Sequence, residues 1–222
     1  MNVLAEGFAQ QLRRSCSEDW QACVDHRFVH EIFDGTLDDA VLRRYLVQDY
    51  QFIDRFVALL GAAIASADEF APRVRLAQFA AMITSDENTY FLRSFDALGV
   101  PPPQRLAPAL TQPTQALRQL MHDAAQSLSY ANCIAVLAVA EGLYLDWADQ
   151  DGKKHVPLPA RFEHAEWIGL HANDFFRGFV GWLRRELDRV GPQLTDVRRA
   201  EAAAYFRQAV ALERQFFDHI YD

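Results

Sequence analysis

The sequence predicts an all-α fold, a single-domain helical bundle over residues 1–222, on three observations. Apolar residues recur at spacings of three and four along most of the chain. Strand-type alternation appears nowhere in it. Gly and Pro are scarce, 10 and 9 in 222 residues, and fall mainly between the periodic stretches. With half its residues apolar and a mass of 25.3 kDa, the chain can bury one good core, and nothing marks a second domain.

The elements follow in order. An opening helix is expected over about 3–24, and a short one over about 25–34. A long helix runs from Asp38, with Asp38 and Asp39 suiting its positive end, to about Ser66 without Gly or Pro between Thr36 and Gly61. The next spans about Pro72–Leu98 and stops at Gly99, where prolines 101–103 prevent continuation. A connector reaches about Thr111. Pro113 fits the first turn of a helix ending near Gln126, and Ser127 or Ser129 caps another to about Gln150. DGKKHVPLPA, 151–160, reads as a loop, and helices over about 161–190 and 195–220 flank Gly191-Pro192. Some of these helices are long enough to span the domain.

Composition narrows the partner. A net charge of −8 with scattered basic residues gives no support to a nucleic-acid or anionic-membrane surface and favours a small-molecule or protein partner. The N-terminal MNVLAEGFAQQLRR lacks the order of a signal peptide, and no run approaches the roughly 20 apolar residues of a membrane span, so a cytoplasmic location is expected. Cys16, Cys23 and Cys133 form no metal-type pair and read as small buried hydrophobes.

Chemistry enters through acids on apolar faces. Tyr45, Asp49, Phe52 and Phe56 form one helical stripe in YLVQDYQFIDRF. Glu87 stands among Phe79, Ile83 and Tyr90; Glu141 among Ile134, Leu137 and Tyr144; Glu213 among Phe206, Val210, Phe217 and Ile220. Any one of these acids could simply fix helix register through a local partner. Four of them need four partners if separate, whereas one shared polar pocket serves all. Such a pocket raises or splits carboxyl pKa values, as general acids and bases require. A di-metal centre would need Glu-x-x-His, but residues 90, 144 and 216 are Tyr, Tyr and Phe, so that reading loses its ligands and neither a metal nor another cofactor is expected. An N-heterocycle, pairing its nitrogens with acids and stacking on aromatics, fits better.

The segments HRFVHEIFDGTL (26–37), YLVQDYQFIDRF (45–56), DENTYFLRSFDALGV (86–100), SYANCIAVLAVAEGLYLDWA (129–148), EWIGLHANDFF (166–176) and ALERQFFDHIY (211–221) together resemble the TenA family, also called thiaminase II, of the heme-oxygenase-like fold. The resemblance runs in order over nearly the whole chain. It implies hydrolysis of 4-amino-2-methylpyrimidines in thiamin salvage, on a homo-oligomer, tetramer or dimer. By it, Asp49 matches the aspartate on the pyrimidine amino group and adjacent ring nitrogen. Glu213 matches the glutamate near the other ring nitrogen, and Tyr144 the tyrosine one turn after the catalytic position. Phe52 stands where many relatives have Tyr and keeps a stacking role; Arg27 replaces a Pro.

The nucleophile departs from the pattern. Where many members carry Cys, this chain has Ala140, followed by Glu141, and Cys133 lies about 10 Å back along the helix axis. The segment AEGLY looks like the branch in which a glutamate replaces the cysteine, and His171 takes a place that is Tyr in the Cys branch. Glu141 is then the expected general base for water and acid for the departing group, with Tyr144 assisting and His171 in the substrate pocket. The substrate is expected to be aminomethylpyrimidine, losing ammonia, or its N-formyl derivative, losing formate. Two competing readings are a heme-oxygenase-like metal-dependent oxidoreductase, with His26 and His30 or His164, His171 and Asp174 as ligands, and a catalytically silent pyrimidine binder.

Overall fold

The computed structural model describes residues 6–150 and 157–222, which form helices joined by short turns, with no strand among them. Most of the loop expected at 151–160 and the first residues of the opening helix lie outside the described residues. Chain order gives α1 (Phe8–Ser15), α2 (Ser17–Val24), α3 (Arg27–Asp34), α4 (Asp39–Asp49), α5 (Ile53–Ser66), α6 (Phe70–Met82) and α7 (Asn88–Ala97). There follow α8 (Pro102–Leu106), α9 (Gln112–Gln126), α10 (Tyr130–Ala148), α11 (Phe162–His171), α12 (Asp174–Val190) and α13 (Asp196–His219).

The starts obey local chemistry. The Asp38 carboxylate accepts from Ala40 N at 2.8 Å, and Thr111 and Ser129 hydroxyls cap α9 and α10. Of the two serines proposed to cap α10, Ser129 does so. Gly35, at φ 69°, closes α3 in the left-handed region that glycine adopts without steric cost.

Four elements are more broken than expected. The opening helix divides at Cys16, where the Ser15 hydroxyl and the Cys16 thiol turn back to the Leu12 carbonyl. The helix over 161–190 divides at Asn173. This side chain donates to Gly169 O and Leu170 O and accepts from Phe176 N, so it satisfies both ends of the break. Between α4 and α5 the single long helix tightens into a 3₁₀ turn, Tyr50–Phe52, and between α6 and α7 it widens into a π turn, Ile83–Glu87. The connector after Gly99 holds the short α8.

α10 is the axis, packed by α13, α12, α9, α2, α5 and α11. By length and composition alone it is apolar enough to cross a membrane, which corrects the expectation that no run comes close. Within the bundle 89% of that stretch is buried, its apolar surface being covered by the neighbouring helices. Buried side chains from nearly every helix join in one continuous core, dense in Phe and Trp. Cys23 and Cys133 are buried in it and Cys16 half-buried; burial pushes all three thiols up, Cys133 to about 12, so none is a ready nucleophile.

Candidate active site

All four acids singled out in the sequence line one cavity, together with Phe52, Ile53, Phe56, Ile83, Met121, Ala140, Tyr144, Trp167 and His171. The space between atoms, mouth included, is about 520 Å³. That is room for one small-molecule ligand. Among the described residues no Lys or Arg lines it.

Each acid arrives on a different support. Asp49 ends α4, and the following 3₁₀ turn lays Phe52 beside it on the wall. That turn is held from outside: Arg118 of α9 donates to Gln51 O, and Gln51 Nε2 donates to Arg105 O at 2.9 Å. Glu87 ends the π turn. Glu141 projects from the axis helix α10, and Glu213 from α13. Glu141 and Glu213 are buried, whereas Asp49 and Glu87 are half-buried and open onto the cavity.

Desolvation is the leading cause of every shift here. It pushes Glu87 and Glu213 up to about 8. Asp49 is raised well above the carboxylate range by burial and by repulsion from Glu87 and Glu213, with the Tyr144 hydroxyl opposing. Glu141 is raised by burial and by all three other acids. Four acids so placed share protons as a set, and losing a charge from one makes ionisation of the next easier. Oε2 of Glu213 is fully enclosed and has no hydrogen-bond partner among the described residues.

Behind the acids runs an aromatic relay. Trp167 Nε1 donates to Tyr45 Oη at 3.2 Å, and Tyr45 Oη lies 2.8 Å from Tyr144 Oη, which faces Asp49. Since Tyr45 already accepts from Trp167, its own proton is free for Tyr144, and the Tyr144 proton for Asp49. His171 Nδ1 is 2.8 Å from Trp167 O. A carbonyl only accepts, so Nδ1 carries the proton; burial lowers the ring to about 4, which keeps it neutral and leaves Nε2 as an acceptor. Phe52 stacks edge-on to Phe216 at 5.2 Å.

Every expected site residue, Asp49, Phe52, Glu141, Tyr144, His171 and Glu213, lies on this one wall, and Glu87 joins them. Sequence reasoning missed Trp167 and Met121. Trp167 was findable, one turn before His171 on the same face; Met121 carries no signal. The metal reading is not favoured: among the described residues no three His, Cys, Asp or Glu side chains group where they could hold an ion. His164 and His171 are buried, but Asp174 is exposed and pairs with Arg177. His26 caps α3 by accepting from Phe28 N and faces Asp218, and His30 is exposed, so neither is placed as a heme ligand.

Fold and cavity together define an all-α protein of heme-oxygenase-like type with a carboxylate-walled pocket. A domain of that fold from Shewanella denitrificans superposes with a TM-score of 0.69 at 12% identity, covering 96% of this chain and 91% of that one. A TenA homologue from Pyrococcus furiosus superposes more closely, at TM-score 0.84 and 18% identity over 96% of this chain and all of the other. The profile of the TENA/THI-4/PQQC family matches residues 13–222, and the chain belongs to that family. An aminopyrimidine aminohydrolase of Halalkalibacterium halodurans is 24% identical over 220 residues, 97% of this chain and 96% of the relative. One of Bacillus subtilis is 24% identical over 215 residues, 96% and 89%.

Proposed function

We propose that the cavity binds a 4-amino-2-methylpyrimidine of thiamin salvage and hydrolyses a C–N bond of its 5-substituent. The observation that carries this reading is a small cavity walled by four acids and aromatic rings, with no Lys or Arg among its described lining residues. Two relatives bearing the name aminopyrimidine aminohydrolase over nearly their full lengths support it.

The raised acids suit this ligand in detail. An aminopyrimidine edge offers an N–H donor beside a ring-nitrogen acceptor, and a neutral carboxylic acid offers the complementary pair. Asp49, kept protonated, accepts from the amino group and donates to the ring nitrogen. Glu213, protonated below about 8, donates to the other ring nitrogen. Phe52 lies against the ring. With Asp49 and Glu213 neutral, burial and Glu87 still raise Glu141, and Glu141 serves as the base that takes a proton from water. Tyr144, backed by Tyr45 and Trp167, holds Asp49 in register. His171 borders the pocket as a neutral acceptor.

Ala140 brings no thiol to the wall, so the reading is of water attack rather than a covalent cysteine adduct. The substrate is aminomethylpyrimidine or its N-formyl derivative. Incubating the protein with each, and with thiamin, and following products by chromatography tests it: formation of the hydroxymethyl- or aminomethylpyrimidine is expected. Binding without turnover would leave a silent pyrimidine binder, and neither binding nor turnover would remove the reading. A cytoplasmic homo-oligomer belongs to the same proposal; light scattering at a multiple of 25.3 kDa is the expected result.

A further inference from the structure

Glu87 has no part in holding the ring edges or activating water, yet it shares the cavity with the acids that do. It ends the π turn Ile83–Glu87; Ile83 and Glu87 line the cavity, while Thr84, Ser85 and Asp86 between them are exposed. A π turn is a rare distortion, met most often at functional sites. This one is held by its own hydroxyls: Thr84 Oγ1 donates to Ala80 O at 2.8 Å, Ser85 Oγ to Ala81 O at 2.7 Å, and Thr89 Oγ1 to Ser85 O at 2.8 Å. The Glu87 carboxylate makes no hydrogen bond or ion pair with any described residue, so a register role through a local partner does not account for it.

Its place in the cavity is fixed by its neighbours. Among the charges acting on Asp49, Glu87 is the strongest, and the same holds for Glu141. The 4-amino group held by Asp49 and the 5-methylene carbon attacked at Glu141 are adjacent on the pyrimidine ring. A carboxylate close to both stands beside the 5-substituent. Among the described residues the acids do not group as a metal site. No Lys or Arg lines the wall among the described residues, so a positive charge to pair with Glu87 has to come with a ligand.

We propose that Glu87 is a specificity-determining carboxylate that receives a positively charged 5-substituent, so that the cavity selects a departing ammonium group over a neutral one. The assignment rests on the aminopyrimidine reading above. In the step it serves, the methylene C–N bond breaks with its electron pair going to nitrogen, and a water oxygen forms the new C–O bond. The water proton passes to Glu141 and then to the released ammonia. An alkylammonium and water thus become an alcohol and ammonium ion; the bound ammonium draws Glu87 into its ionised form, and Glu87 pairs with that nitrogen before cleavage and again once the ammonia has taken up the proton.

The test uses Glu141→Gln protein, in which turnover is suppressed, titrated by calorimetry with the 5-aminomethyl and the 5-hydroxymethyl compounds of 4-amino-2-methylpyrimidine. The ammonium ligand is expected to bind at least about tenfold tighter, and adding Glu87→Gln to remove most of that ratio. Equal affinities with Glu87 intact overturn the assignment, as does an unchanged ratio in a doubly substituted protein that still binds the hydroxymethyl compound. If the double variant does not fold, the comparison in Glu141→Gln decides alone. Failure of the wild-type chain to bind either compound overturns the aminopyrimidine reading itself, a result distinct from equal binding of both.

Discussion

Four glutamates of this chain are buried to nearly the same degree, Glu141, Glu163 and Glu186 at 7% exposure and Glu213 at 5%, but they live in two different kinds of surroundings. Near the far end of α12, Glu186 accepts from Arg189 at 2.8 Å and from Tyr130 Oη at 2.9 Å, and Arg189 extends the network to Asp68. Glu163 likewise faces Arg161 at 3.3 Å. In the cavity, Glu141 and Glu213 pair with no cation among the described residues. Equal burial with opposite pairing separates a framework that has already neutralised its charges from a site that keeps them for something else.

The comparison can be broken at several points. Glu141→Gln is expected to cut turnover about 10²- to 10⁴-fold while retaining ligand binding, measured by steady-state rates and calorimetry; wild-type activity would reassign the base. In the paired region the direction reverses. Arg189→Ala, leaving Glu186 buried without its cation, is expected to destabilise the fold by about 2 kcal/mol in chemical denaturation, a figure reduced for the partial exposure of Arg189, with little change in KM.

The cavity acids also predict a pH dependence. Glu87 and Glu213 hold protons up to about 8 in the folded chain but only to the usual 4.5 when unfolded. Their stabilising contribution is therefore complete below 4.5 and is lost as pH rises towards 8. His171, lowered to about 4, acts oppositely but only below its ordinary 6.5. Between 6.5 and 8 the unliganded protein should lose stability with rising pH, by up to about 1.4 kcal/mol per pH unit for each proton of difference. Denaturation series should show that slope flattened in Glu213→Gln, and an unaltered slope would contradict the burial of an unpaired acid. The smallest effect is expected for Tyr45→Phe. It interrupts the relay from Trp167 to Tyr144, costs about 1 kcal/mol of stability, and lowers kcat/KM a few-fold.

Much of this was legible in the sequence because helical periodicity and acid placement are local properties. The stripes around Asp49, Glu141 and Glu213 are buried as written, and all four acids meet. The paired glutamates were distinguishable too, since Arg161 and Arg189 lie two and three residues from their partners. What was not legible depends on distant parts of the chain. The 3₁₀ turn after Asp49 contains no Gly or Pro, and its exposed carbonyl is taken by Arg118, 67 residues on. The π turn offered a faint sign in its adjacent Thr84 and Ser85, whose hydroxyls can bond back to the preceding turn, but such pairs also sit in ordinary helices. Asn173 reads as polar surface until it is seen bonded to both helices it separates.

The π turn has a consequence for how this site could be gained or lost. Each residue of an α-helix advances the face by about 100°, so removing one residue from Thr84–Asp86 and letting the segment relax to regular helix would turn Glu87 away from the cavity or rotate all of α7 against its neighbours. A single-codon deletion there would alter the charge lining the slot without replacing any of the residues that line it. Insertions and deletions at this segment, rather than substitutions, are where the charge lining this cavity could be changed in one step.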